Sequence, residues 1–430
     1  MHQAGDQEEC RFIDLFAGAG GLSQGFTEVG WKPVAGVDID PDALATYQLN
    51  FPTSAAVCGD LRRKAVRKQV LDLGAGVDVI AGGPPCQAFS QVRNHARIIN
   101  DPRNSLYREF VTVVTEIGPR AFVMENVPGL AQLGVLDQVL HDLSCGGAYH
   151  VTATLVDAAD FGVPQSRQRI VFLGVRRDVS DTVPSLSGSG VTNAVSLERA
   201  GKTRVRYRIC SHPSEIGSEL TDRLRDPLDA SAVSVSQAIG DLTRLRPGSG
   251  PHNRTMPSAD LAEPNSAFQK SMRDHNGETL TNVGVPRIND DTVTRLRGIP
   301  PGGNHLDLSD DLLDRYICGQ RWGPDNGSQR LSRRHYYAYR RLHPEIWSWT
   351  LNTKADSVYH WKFPRALSVR EFARLQSFPD RFVFTTDPRR GPLPGRIEGG
   401  PGHSCYRQVG NAVPPLFGQA IASVLAPLLR

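Results

Sequence analysis

A chain of 430 residues with 39% hydrophobic and 22% charged residues can bury a large core, and its composition excludes a disordered or membrane-embedded protein. Its net charge of +4 permits a polyanionic partner without requiring one. The seven cysteines are scattered with no CxxC pair, which argues against a zinc cluster or disulfide framework and for a reducing cytosol.

The polar start MHQAGDQEECR has no apolar stretch of the kind that directs secretion. From Arg11 to about Gly174, short β-branched runs alternate with helical patterns, predicting a parallel sheet with crossover helices. RFIDLF reads as a buried strand, AGAGG as a turn and LSQGFTEVG as a helix. VAGVDID is a second strand, followed by the helix PDALATYQLN with Pro41 in its first turn. VDVIAGG, RAFVMENV, YHVTATLVDAADFG and RIVFLGVRR supply further strands, and SLYREFVTVVTEIG a crossover helix. Residues 176–365 are rich in Pro, Gly, Ser, Asn and Arg, and their scattered aromatic residues favour a loop-rich second domain over a disordered insert. Helical patterning returns at SVREFARLQSF and in NAVPPLFGQAIASVLAPLL, whose apolar part is too short and proline-broken to span a bilayer.

Three places carry candidate chemistry. Glycines in Phe16-Ala17-Gly18-Ala19-Gly20-Gly21 allow a tight strand–helix turn and close approach to a ligand, without matching the GxGxxG dinucleotide pattern. Asp38, twenty positions after Gly18, closes the second strand where an acid suits the paired hydroxyls of a ribose, and Asp60 suits an exocyclic amine. A plain turn with solvated acids would leave the same pattern. GGPPCQAFS sets Cys86 after a buried strand, at the sheet edge where open α/β folds carry their sites. Glu125 and Asn126 end another strand on that edge, and Gln165, Arg167 and Arg169 alternate so as to share a face if extended. A thiolate, a carboxyl group and a guanidinium at one pocket suit conjugate addition to a pyrimidine.

FIDLFAGAGGLSQGF, GGPPCQAFS, MENVPGL, QSRQRIVFLGV, RALSVREFARLQSFPDRF and YRQVGNAVPPLFGQAIA, in that order, resemble the motifs of the cytosine-5 DNA methyltransferase family. The resemblance implies a doubly wound, Rossmann-like α/β catalytic domain over 1–175, completed by 404–430, and a smaller loop-rich target-recognition domain over 176–390. It implies S-adenosyl-L-methionine as cofactor, S-adenosyl-L-homocysteine as product and no metal. The implied cofactor residues are Phe16, Gly18, Gly20, Gly21, Asp38, Ile39, Asp60, Leu61, Pro85, Asn411 and Val413. Cys86 would be the nucleophile on C6, Glu125 would engage N3, and Arg167 and Arg169 would hold the base.

The partner so implied is double-stranded DNA, with the cytosine flipped from its stack. Gln87, Ser90, Arg93 and Arg97 belong to a loop expected to close over it. RLSRRHYYAYRR, with five arginines, three tyrosines and no acid, suits phosphates and base edges through Arg333, Arg334, Tyr337, Arg340 and Arg341, and Thr350-Leu351 resembles the family's Thr-Leu pair. A bacterial modification enzyme follows as the expectation: cytoplasmic, monomeric, without a membrane, and sharing its target site with a restriction endonuclease. A transfer-RNA methyltransferase, a cysteine hydrolase and a catalytically silent DNA-binding protein are the competing readings.

Overall fold

The β-branched runs form strands because they can be buried on both faces. A computed structural model describes residues 9–85, 105–132, 136–190, 192, 232–273, 277–309, 311–312, 339–389 and 400–430. In it, β1 (Arg11–Leu15), β2 (Lys32–Asp38), β3 (Ala55–Cys58), β4 (Val79–Gly82), β5 (Ala121–Asn126), β6 (Tyr149–Asp157) and β7 (Gln168–Arg176) form one sheet in the order β3-β2-β1-β4-β5-β7-β6. The first five pair in parallel, while β7 runs antiparallel to both β5 and β6. The expectation of a parallel sheet therefore needs correction at its last hairpin. Residues 158–167 are too few for a crossover, so the chain turns back on itself.

The helices α1 (Gly21–Thr27), α2 (Pro41–Asn50), α3 (Lys64–Leu73), α4 (Ser105–Ile117), α5 (Gly129–Gln132) and α6 (Leu136–Leu143) connect these strands. Asp40 caps α2 by accepting from Asp42 N at 3.0 Å, with Pro41 in the first turn as expected. Tyr107, Phe110, Val113 and Val114 form the buried stripe that lays α4 on the sheet. The strand order reverses between β1 and β4. At such a switch point the carboxyl ends of neighbouring strands diverge and leave a crevice.

The remaining described chain is loop-rich, as its composition predicts. It contains α7 (Val235–Ile239), the short pair β8 (Met256–Pro257) and β9 (Thr279–Leu280), α8 (Ala267–Arg273), α9 (Asp290–Gly298) and α10 (Val369–Leu375). Two helices end the described chain, α11 (Pro401–Asn411) and α12 (Pro415–Leu429). On α12, Phe417, Ile421, Leu425 and Leu429 recur every fourth residue and are buried against the sheet and α1, each contributing roughly 1.5–3 kcal/mol by removal from water. The apolar run across α11 and α12 is thus a core element interrupted at 412–414, not one continuous rod.

The division expected at residue 176 is less sharp in space. Leu186 is buried with the sheet cluster and Ser189 N donates to Asp160 O at 2.9 Å, so the chain stays on the flank of the sheet beyond that point. One apolar cluster also runs from Leu242 and Phe268 through Trp347 and Phe372 to Tyr47 of α2 and Val409 of α11.

Candidate active site

At the switch point lies a cleft of about 510 Å3, a volume suited to a nucleoside-sized ligand. Its first wall is the turn after β1. Phe16 adopts a positive φ of 60°, an unusual conformation for a residue with a side chain, and Gly18 follows at 54°. The backbone is held there because Gly18 N donates to Asp38 Oδ2 at 2.8 Å, and Ala17 N to Val37 O at 3.0 Å. Asp38 also accepts from Asp40 N at 2.8 Å. Burial pushes its carboxyl above the usual range, opposed by these N–H donors. Phe16, Gly18, Asp38, Ile39, Asp60 and Leu61 all line the cleft.

Gly20 and Gly21 do not line it. A side chain on Gly20 would strike Tyr47 and Phe51, and one on Gly21 would strike the Val413 carbonyl, so these glycines permit packing of α1. Asp60 is not a bare acceptor either: Arg62 grips it through Nε at 2.9 Å and Nη2 at 2.6 Å, which holds its carboxyl below the ordinary value.

The facing wall comes from the ends of β4, β5 and β7. Pro85 lines the cleft with Glu125, whose Oε1 lies 2.5 Å from Arg169 Nε. Asn126 ties the two strand ends together by donating from Nδ2 to Pro84 O at 3.0 Å, so it holds the loop that leads to Cys86. Arg167 is 4% exposed and among the described residues pairs with no carboxylate; its Nη2 donates to Gly410 O at 3.0 Å, and Nε has no partner among them. Burial, then the neighbouring Arg169, lower its pKa well below the ordinary value, against the pull of Glu125. Gln165 turns away from the cleft, accepting from Leu351 N at 2.8 Å and donating to Gln376 Oε1 at 2.6 Å. It joins the segments around Leu351 and Gln376 to the chain that enters β7.

The third wall is the end of α11, with Asn411 and Val413. Arg407, one turn earlier on the same face, also lines the cleft and donates from Nη2 to Asp40 Oδ2 at 2.7 Å. Neither Arg407 nor Asp14, which lies at the end of β1, stands out among the sequence candidates, yet both border the cavity. The available signals are an acid inside a buried apolar strand and a basic residue four before Asn411.

Cys86, Gln87, Ser90, Arg93, Arg97, Arg333, Arg334 and Tyr337 lie outside the described residues. Thr350 is exposed and donates to Ser166 O at 2.7 Å, one residue before Arg167. Arg340 and Arg341 differ from the expected free surface cations. Arg340 is buried with its guanidinium 5.4 Å from the Trp349 ring, and Arg341 caps α9 by donating to Ile299 O at 2.5 Å and Leu296 O at 3.1 Å.

A family model for C-5 cytosine-specific DNA methylase matches residues 10–426. The chain is 31% identical over 418 residues to the type II methyltransferase M1.HphI of Haemophilus parahaemolyticus, covering 96% of this chain and 86% of that protein. It is 29% identical over 428 residues to the type II methyltransferase M.DdeI of Desulfomicrobium norvegicum, covering 95% and 87%. Among solved structures, an E. coli prophage protein described as a DNA modification methyltransferase superposes with a TM-score of 0.65 at 23% identity, covering 98% of this chain and 99% of that one, a likeness of fold.

Proposed function

The chain belongs to the C-5 cytosine-specific DNA methylase family, and from that premise we propose how its cleft methylates C5 of a cytosine drawn from duplex DNA. The observation that carries the reading is one cavity bordered both by Asp38 and by the Glu125–Arg169 pair, which lie on different strand ends.

The residues present fit S-adenosylmethionine. The half-buried Phe16 with Ile39 and Leu61 offers apolar surface for an adenine, and Asp60 an acceptor for its amine. Asp38 keeps lone pairs for ribose hydroxyls beyond the two N–H bonds it accepts. Gly18, Asn411 and Val413 would border the methionine end, with Pro85 at the reacting side; Gly20 and Gly21 support the turn through packing. When bound, this cofactor supplies a methyl group made electrophilic by its sulfonium.

Cys86, as thiolate, would add to cytosine C6, and C5 gains the electron density it otherwise lacks. Glu125 engages N3 and takes up charge as the adduct forms, with Arg169 fixing its orientation and Arg167 bringing a second, poorly solvated guanidinium to the same wall. After C5 is methylated, loss of its proton expels Cys86 and restores the ring. The chemistry uses no metal. We propose further that the protein is monomeric and cytoplasmic, that residues 176–390 read the target sequence, and that a restriction endonuclease shares that target. Loss of this gene should then be lethal to cells carrying the nuclease; their survival would remove that role.

Expression in a host without cytosine methylation, followed by bisulfite sequencing, tests the reaction. Protected cytosines should fall in one short motif and vanish with Cys86→Ser, and Glu125→Gln should lower turnover by about 10²-fold or more. Methyl transfer to transfer RNA and not to duplex DNA would overturn the reading.

A further inference from the structure

A second concavity, of about 360 Å3, lies at the end of α11 remote from Asn411. Three basic side chains from separate segments line it: Arg287 between β9 and α9, Lys354 after the Thr350-Leu351 pair, and His403 in the first turn of α11. Asp356 is the one acid on its wall among the described residues. Arg287 and Lys354 are exposed, and neither joins a carboxylate among the described residues. They contrast with the other cations of this region. Arg341, Arg365, Arg370 and Arg374 are all engaged by carbonyls or carboxylates.

The position of this cluster is set by the active site. Leu351 N is bonded to Gln165 beside the cleft, and the carbonyl of the following residue, Asn352 O, packs so closely on Gly410 that a side chain on that glycine would collide with it. From that point the chain runs along α11 towards His403. His403 lies eight positions before Asn411 on the helix, roughly 12 Å at 1.5 Å per residue. One turn of duplex DNA, about 34 Å long, exceeds that distance, so a duplex with a cytosine in the cleft is long enough to reach the cluster. Cations without protein partners at an open, water-facing wall suit a phosphodiester, which is compact, anionic and released from counterions on binding.

We infer that Arg287, Lys354 and His403 hold a backbone phosphate of the DNA whose cytosine enters the cleft. The inference rests on the methylation reading and adds a contact that positions DNA without reading its sequence. Asp356 opposes it and moderates affinity.

The test uses the full chain and a duplex carrying the target motif, with dissociation constants measured across a salt series. Arg287→Gln with Lys354→Gln should weaken binding about tenfold or more and lower the slope of log affinity against log salt by about 1. Non-target duplex should weaken equally. S-adenosylmethionine affinity and turnover at saturating DNA should be unchanged, and Asp356→Asn should tighten binding. The single variants and Asp356→Asn give the same readout should the double variant fold poorly. Wild-type affinity and salt slope in the double variant would overturn this inference while methylation stands. A wild-type protein that binds the cofactor and methylates no DNA overturns the underlying reading instead.

Discussion

Asp14 is a carboxyl group set inside a strand whose other residues from Phe12 to Leu15 are apolar and buried, and it is itself 1% exposed. Ser23 Oγ donates to it at 2.7 Å, which only partly replaces water. Burial, with a further push from Asp38, raises its pKa to about 7 despite the Ser23 bonds. An unfolded aspartate titrates near 3.9, so the neutral form is favoured by folding. The associated stability is full below about pH 4 and is lost as pH rises towards about 7. Asp14→Asn keeps a hydrogen-bonding side chain of similar shape and removes the ionisation. Its stability relative to wild type should therefore improve by about 2–3 kcal/mol between pH 5 and pH 8, as read from urea denaturation at both. A difference independent of pH would show that Asp14 does not titrate across that window. The same variant reports on the cleft, because Asp14 lies on its floor.

Between elements, the seam of α1 and α12 depends on missing side chains. A Cβ on Gly25 would collide with Pro415 O and the Gln419 backbone, and one on Gly21 with Val413 O. Gly25→Ala should force α12 outward and destabilise the protein by about 1–3 kcal/mol, lowering the urea midpoint with little change in slope. An unchanged midpoint would mean that the seam yields freely. This seam also marks where sequence reading ends. The strands, α1 and the terminal helix are legible because hydrophobic period and Gly or Pro punctuation are local signals. Gly21 is read as a cofactor glycine because its neighbours in sequence are Phe16 and Gly18, while the contact that requires it comes from Val413, far along the chain. Arg407 and its bond to Asp40 are hidden for the same reason, and so is the antiparallel course of β7.

Across the whole molecule, the segment RALSVREFARLQSFPDRF acts as an internal brace. Arg365 pairs with Glu371 through bonds of 2.8 and 2.7 Å, and Glu371 and Ser368 close a capping box on α10. Arg370 donates to Phe382 O at 2.6 Å and Pro379 O at 3.0 Å, and burial lowers its pKa to about 10. Arg374 grips Asp380 at 2.5 and 2.6 Å and reaches Asp241 at 3.3 Å; burial works against its charge, but the two carboxylates outweigh it and raise its pKa. Composition marks residues 176–365 as a separate loop-rich unit. The continuous apolar cluster from Leu242 to Tyr47 and Val409 instead predicts that this region and the sheet unfold together. Arg374→Met decides between these views. It leaves Asp380 with Arg370 alone, 3.9 Å away, and weakens the hold on Asp241, which should cost about 3 kcal/mol. Adding Asp380→Leu should recover part of that loss by removing a buried charge left with one long ion pair. With one cooperative unit, the urea transition of the variant shifts equally by tryptophan fluorescence, dominated in the described chain by Trp347, Trp349 and Trp361 near α10, and by far-ultraviolet dichroism of the helices and sheet. A fluorescence transition that moves alone would show a loop-rich region able to unfold while the sheet stays intact.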